Sequence, residues 1–173
     1  MEKIKILKDS DIFKNPKYQE PKSYEERQTV KVIIKNKKGE IALITNPVHK
    51  FFLLPGGGAD SDDLEKEVER EALEEINYYI GGIKEIGKIE EFRNRDAKHY
   101  ITTGFVANTV REGNKDLRTE EEKKNGLEVH WFEYDEALGI LSEQVKKVEQ
   151  GEVKFYNTAF NIVRDYYFVS LIN

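Results

Sequence analysis

Between Gly56 and Asn77 the chain carries Gly56-Gly57-Gly58, aspartates at Asp60, Asp62 and Asp63, and then Glu67, Glu71, Glu74 and Glu75. Glu67, Glu71 and Glu75 recur every four residues, and Glu74 falls on the same side of a helix. Like charges at that spacing repel by roughly 0.2–0.5 kcal/mol per pair. Glu74 and Glu75 also stand in the last helical turn, where the helix dipole disfavours acids. Two local rules are broken at one place, which is where function is expected. A hard divalent cation removes the conflict, because Mg²⁺ takes oxygen ligands and commonly binds one or two carboxylates together with phosphate oxygens. The glycines permit close approach of backbone to a ligand. With the helix N-terminus they offer N–H donors to phosphate or carbonyls to a metal. The chemistry indicated is metal-assisted splitting of a pyrophosphate, the cation neutralising charge and acidifying a water. The plainer alternative is a solvated acidic helix behind a flexible loop, with Lys66 and Arg70 offsetting part of the charge.

The elements that would position these residues are legible in outline. Leu64, Val68, Ala72 and Ile76 form one apolar stripe, so the pattern predicts a helix over about Asp62–Ile76. Asp60, Ser61 or Asp62 would cap it, and Asn77 suits a left-handed C-terminal residue. Upstream, Val30–Thr45 reads as a hairpin turning at Asn36–Gly39, and Phe51–Leu54 as a short strand running into Pro55. Ile4 and Ile6 alternate as in a short strand, before a polar loop with Pro16 and Pro21. Downstream come strands at about Ile83–Arg93 and His99–Val110, a charged loop at Arg111–Gly126 and a strand at Leu127–Phe132. Helices at Asp135–Val148 and Val153–Val169 complete a mixed α/β domain with its sheet between helices.

The chain has 173 residues, which suits one domain with a sizeable core. Lys and Arg number 28 against 33 Asp and Glu, a net charge of −5 that argues against a general nucleic-acid binder. There are no cysteines, which excludes disulfides, thiolate metal sites and cysteine nucleophiles. No apolar run approaches the roughly 20 residues that span a bilayer, and the first residues lack the apolar core of a signal peptide. A cytoplasmic protein with no membrane partner is therefore expected.

Leu54-Pro55-Gly56-Gly57-Gly58, followed by Arg70-Glu71-Ala72-Leu73-Glu74-Glu75-Ile76-Asn77, resembles the Nudix box, G-x5-E-x7-R-E-U-x-E-E-x-G-U with U a bulky apolar residue. The similarity extends from about Thr29 to the C-terminus, with residues 1–26 as an N-terminal extension of a single domain spanning 1–173. Asp62, or Asp63 with a one-residue deletion, stands where the first glutamate is usual; Asn77 replaces the last glycine, and Ala72 is smaller than the usual apolar residue. The resemblance implies an α/β/α sandwich with a mixed central sheet and hydrolysis of a nucleoside diphosphate linked to another moiety. It implies Glu71 and Glu75 as Mg²⁺ ligands (Mn²⁺ as a second option), with Glu74 assisting and a carbonyl from the Gly57 region. Gly56, Gly57 and Gly58 would bind the substrate, and Arg70 would orient the glutamates through charge-assisted bonds. A general base would come from the later loop, where Glu120, Glu121 and Glu122 all fit and Glu120 is slightly preferred. The irregular Asp60–Asp63 entry leaves open a catalytically weakened nucleotide-binding or regulatory module.

Other residues read more plainly. His99 at a strand start fits a structural role better than substrate contact. His49, Phe51 and Phe52 could stack on a base, although at least one phenylalanine belongs to the core because adjacent strand residues face opposite ways. Trp131 and Phe132 suit sheet packing, and the aromatic C-terminal helix suits the core, its spare tyrosines also fitting a homodimer interface. Substrate choice would lie in the loops Pro47–Phe51, Asn94–Lys98 and Arg111–Asn125.

Overall fold

The computed structural model describes residues 4–114, 119–120, 123 and 126–172. In chain order they form β1 (Ile4–Lys8), α1 (Asp9–Ile12), β2 (Glu25–Lys35), β3 (Ile41–Thr45), β4 (Gly56–Gly58), α2 (Leu64–Ile76), β5 (Tyr78–Arg93), β6 (Lys98–Glu112), β7 (Glu128–Phe132), α3 (Tyr134–Glu149) and α4 (Tyr156–Ser170). The strands make one seven-stranded sheet in the order β1-β5-β6-β2-β3-β7, with β4 added along β2. Pairing is mixed: β1 runs parallel to β5 and β2 parallel to β6, while the other pairs are antiparallel.

The middle of β2 explains the layering. Val32, Ile33 and Ile34 are consecutive and all fully buried, so both faces of this strand are covered. On one face α4 lies close: a Cβ at Gly104 of β6 would be driven into the Phe168 ring of α4. The α2 stripe expected from the sequence is seated in the core, with Val68 and Ala72 at zero exposure and Ile76 at 6%. A mixed α/β fold with the sheet packed between helices is thus observed, as the apolar periodicities predict.

Several boundaries differ from the sequence expectations, each for a physical reason. Phe51–Leu54 is not a strand; only Leu53 bridges to Ile44, and the strand is instead Gly56–Gly58. Backbone pairing to β2 makes it so, with Thr29, Val30 and Lys31 opposite Gly58, Gly57 and Gly56. The glycine turn is therefore stitched to the sheet and is not a free loop. β5 runs through Gly81-Gly82, where bulges absorb the irregularity and Gly82 takes φ 62°. The helix begins at Leu64, and Asp63 caps it by accepting from the Lys66 N–H at 3.3 Å. Helix α1 was not expected; four residues are too few to show a period.

Candidate metal and phosphate site

The end of α2 is fixed first. Asn77 adopts φ 57°, ψ 43°, and its N–H returns to the carbonyls of Ala72 and Leu73. Its side-chain amide donates to the Gly113 carbonyl at 3.1 Å, and the Gly113 N–H donates to the Asn77 carbonyl at 2.8 Å. The helix end is thereby tied to the end of β6, which sets the rotation of the glutamate face.

That face is turned inward. Glu67, Glu71 and Glu75 are each less than a tenth exposed. Arg70 joins them: it donates to Glu67 at 2.8 and 3.1 Å, to Glu71 at 3.0 Å, to Glu74 at 2.9 Å and to the Gly58 carbonyl at 3.0 Å. Glu67 also accepts from the Ser61 hydroxyl at 2.8 Å. Its Arg70 and Ser61 bonds hold its carboxyl below the usual carboxylate range. The arginine partner that Asp62 or Asp63 fails to supply is therefore provided by Glu67, one turn later. Asp63 is occupied as the helix cap and pairs with Lys66 at 3.1 Å.

Glu71 and Glu75 form the unbalanced part. One helical turn apart on the same buried face, each acts on the other's protonation. Burial pushes both upward, Glu75 well above its ordinary value; Arg70 relieves Glu71 in part, and Lys31 relieves Glu75. A buried pair of acids in this state needs either a shared proton or a cation. Gly56 donates its N–H to Glu75 at 3.2 Å. A Cβ on Gly57 would fall 2.5 Å from a Glu71 oxygen, so glycine keeps that oxygen clear. Among the described residues no three acidic or imidazole groups are gathered into a ready cage. Two buried carboxylates beside an open glycine backbone nevertheless suit Mg²⁺, which leaves its other positions to water and phosphate oxygens.

The structure thus brings together Gly56, Gly57, Gly58, Arg70, Glu71, Glu74 and Glu75. It does not bring Glu120 to them: that side chain is 95% exposed and pairs with Lys123 at 3.5 Å. Glu121 and Glu122 lie outside the described residues. His99 is structural, stacked on Phe92 at 4.2 Å and bonded to Glu90 at 2.8 Å. His49, Phe51 and Phe52 line a cavity of about 550 Å³ against α3 that shares no residue with the glutamates. Phe52 is further fixed by Gln144, which accepts from its N–H at 2.7 Å and donates to its carbonyl at 2.8 Å.

Two participants were missed by sequence reasoning. Lys31 is buried on β2 and donates to the Leu54 carbonyl at 2.7 Å. Asp165 is fully buried on α4 and accepts from the Leu54 N–H at 2.9 Å. A charged residue inside an apolar run was the available signal in both cases.

Arg70→Ala should leave Glu67 and Glu71 buried without their cation. We expect a loss of about 2 kcal/mol, read as a fall of roughly 4–8 °C in a thermal melt. Arg70→Lys should recover less than half, because one ammonium cannot span the carboxylates that the guanidinium fork bonds. A melt unchanged within 1 °C for Arg70→Ala would remove Arg70 from the account.

Known proteins place this geometry in a family. The structure is similar to a NUDIX hydrolase from Nitrosomonas europaea, with 17% identity, 83% of this chain and 89% of that chain covered, and a TM-score of 0.54. It is similar to the NUDIX domain of Shewanella oneidensis NrtR complexed with ADP ribose, at 19% identity over 70% of this chain and 82% of that one, TM-score 0.52. It is also similar to a MutT NUDIX hydrolase from Burkholderia pseudomallei, at 22% identity over 64% and 85%, TM-score 0.50. At these identities the likeness speaks for the fold. No curated relative matches the sequence. The family model for the NUDIX domain, however, matches residues 25–158, most of the chain, and the protein belongs to the Nudix family.

Proposed function

We propose that the protein is a divalent-metal-dependent hydrolase that cleaves the pyrophosphate of a nucleoside diphosphate linked to another moiety. The observation that carries this reading is the buried Glu71–Glu75 pair set against the Gly56–Gly58 backbone. Glu71 and Glu75 would hold Mg²⁺, or Mn²⁺ in its place, with Glu74 assisting and the Gly57 carbonyl as a further ligand. Bound there, the cation would neutralise pyrophosphate charge and lower the pKa of a water. Arg70 fixes the rotamers of Glu71 and Glu74, and the space that a Cβ at Gly58 would take is open. Glu120 would serve as the general base; its side chain is 95% exposed and pairs with Lys123 at 3.5 Å.

A nucleotide-type ligand is supported by the neighbour whose NUDIX domain is complexed with ADP ribose. A catalytically weakened nucleotide-binding or regulatory module is the second reading, motivated by the irregular Asp60–Asp63 entry; the Glu67–Arg70 bond at 2.8 Å favours the hydrolase. We read residues 1–173 as one domain, since β1 joins the same sheet through β5. No helix among the described residues is long and apolar enough to cross a membrane.

The test is product analysis on nucleotide sugars, dinucleotides and nucleoside triphosphates with Mg²⁺ or Mn²⁺. Release of a nucleoside monophosphate from one class, abolished by chelator, is expected. Tight nucleotide binding without release from any class would instead establish the binding module.

A further inference from the structure

A cavity of about 610 Å³ shares no residue with the glutamate face. It opens between the segment after α1, the turn joining β5 to β6, and the link from α3 to α4. The family match begins at residue 25, so Lys14, Lys17 and Tyr18 on its rim belong to the N-terminal extension.

Buried polar contacts hold these segments together. Asp9, 2% exposed, accepts from the Tyr156 hydroxyl at 2.6 Å and from the Asn94 N–H at 3.1 Å. The Tyr156 hydroxyl in turn accepts from the Arg95 N–H at 3.3 Å, and the Asn94 amide donates to the Tyr18 carbonyl at 3.1 Å. Phe13 stacks on Tyr156 at 5.3 Å, Tyr18 meets it edge-on at 5.4 Å, and the Arg95 guanidinium lies 4.6 Å from its ring centre. Three stretches of chain are thereby fixed around one ring.

The charge of the cavity runs against that of the chain. Lys14, Lys17, Arg95 and Lys154 line it, and Glu149 is the only acid among its described lining residues, in a protein of net charge −5. Among the described residues the three lysines have no ion-pair partner. Arg95 bonds Asp96 through Nε and one amino group, so its other amino group can serve a ligand. Like charges held around a cavity attract and concentrate a small anion. The carbonyl end of α3 opposes this only over its last turn. Tyr18, 44% exposed, adds a ring on which a planar group can stack. The volume suits a ligand of nucleotide size.

We propose that this cavity binds a nucleoside monophosphate without a divalent cation, its phosphate held by Lys14, Lys17, Arg95 and Lys154 and its base set against Tyr18. The proposal does not depend on the reading of Glu71 and Glu75 as metal ligands.

The experiment is a calorimetric titration of the full chain with AMP, UMP, adenosine and inorganic phosphate, all in the presence of chelator. At least one monophosphate should bind, more tightly than adenosine or phosphate, and equally well in Glu71→Gln/Glu75→Gln. Lys14→Glu/Lys154→Glu, at two exposed positions, should weaken that binding by about tenfold or more, and added salt should weaken it in the unaltered protein. Tyr18→Ala should cost about fivefold in monophosphate affinity and leave phosphate binding unchanged. Monophosphate binding that is lost in Glu71→Gln/Glu75→Gln belongs to the glutamate face and overturns the proposal. So does binding that Lys14→Glu/Lys154→Glu leaves unaltered, phosphate bound as tightly as the monophosphates, or no binding of either monophosphate.

Discussion

Glu75→Gln is expected to abolish metal-dependent turnover and at the same time to stabilise the metal-free protein at neutral pH. The first effect follows from losing one of two anionic ligands; a Lewis acid worth several kcal/mol in the transition state corresponds to about 10³-fold in rate. The second follows from burial. Glu75 and Glu71 are both pushed upward, by desolvation first and then by each other. Between the ordinary carboxylate value and these raised values the native state binds more protons than the unfolded chain. Metal-free stability should therefore fall as pH rises from about 5 through neutrality. Glutamine removes one of the two charges while keeping an oxygen for the Gly56 N–H. We expect the metal-free melting temperature of Glu75→Gln to exceed that of the unaltered protein by a few degrees at pH 8, roughly 2–4 °C per kcal/mol, with little difference at pH 5. Mg²⁺ should reverse the order, stabilising only the unaltered protein. A variant that is less stable at pH 8 without metal would show that the pair is not under electrostatic strain.

Gly56→Ala should be the most damaging single substitution in the glycine strand. Gly56 has φ 139°, a conformation that alanine strongly disfavours. An added Cβ would be driven into the Val30 carbonyl oxygen and lie 2.9 Å from Lys31 Cα, and backbone cannot swing aside as a side-chain tip can. Relief requires breaking the Lys31–Gly56 pairing, which also withdraws the N–H from Glu75. We expect a loss of about 3–5 kcal/mol, a melting temperature lower by roughly 10 °C or more, and no measurable turnover. Gly57→Ala is the contrast. Its obstacle is Glu71 Oε1, the far end of a flexible side chain, so stability should change by about 1 kcal/mol or less while metal affinity falls. Equal loss of stability in both variants would contradict this division between a backbone demand and a site demand.

How much of this was legible beforehand depends on which interactions are local. The α2 stripe, the shared face of Glu71, Glu74 and Glu75, and the left-handed Asn77 are consequences of a 3.6-residue period and one capping residue, and they could be read directly. Glu67 as the Arg70 partner is also local, at i,i+3, but the family spacing drew attention to Asp62 and Asp63 instead. Lys31 and Asp165 show in the sequence only as charged residues inside apolar runs. Their meaning depends on pairings 23 and 111 residues apart along the chain, through Leu54 in each case. The same holds for the buried chain of charges beyond them. Arg164 bonds Asp165 at 2.9 Å and Glu91 at 3.3 Å, and Arg93 bonds Glu91 at 2.8 Å. Burial alone would raise Glu91, yet these arginines hold it below its ordinary value. The aromatic pattern of α4 announces a core helix and conceals the ion pair within it. The strand at Gly56–Gly58 was missed for a related reason: its pairing uses only backbone, which glycine offers without any side-chain signature.

If Glu71 and Glu75 together hold a hard divalent cation, neither can be replaced without loss of the ion. The most direct measurement is a calorimetric Mn²⁺ titration of the chelator-treated protein beside the double variant Glu71→Gln/Glu75→Gln, with Glu120→Gln as control. We expect saturable binding by the unaltered protein, no detectable binding by the double variant, and unaltered binding by Glu120→Gln, whose side chain is 95% exposed. Binding that survives in a folded double variant would contradict it.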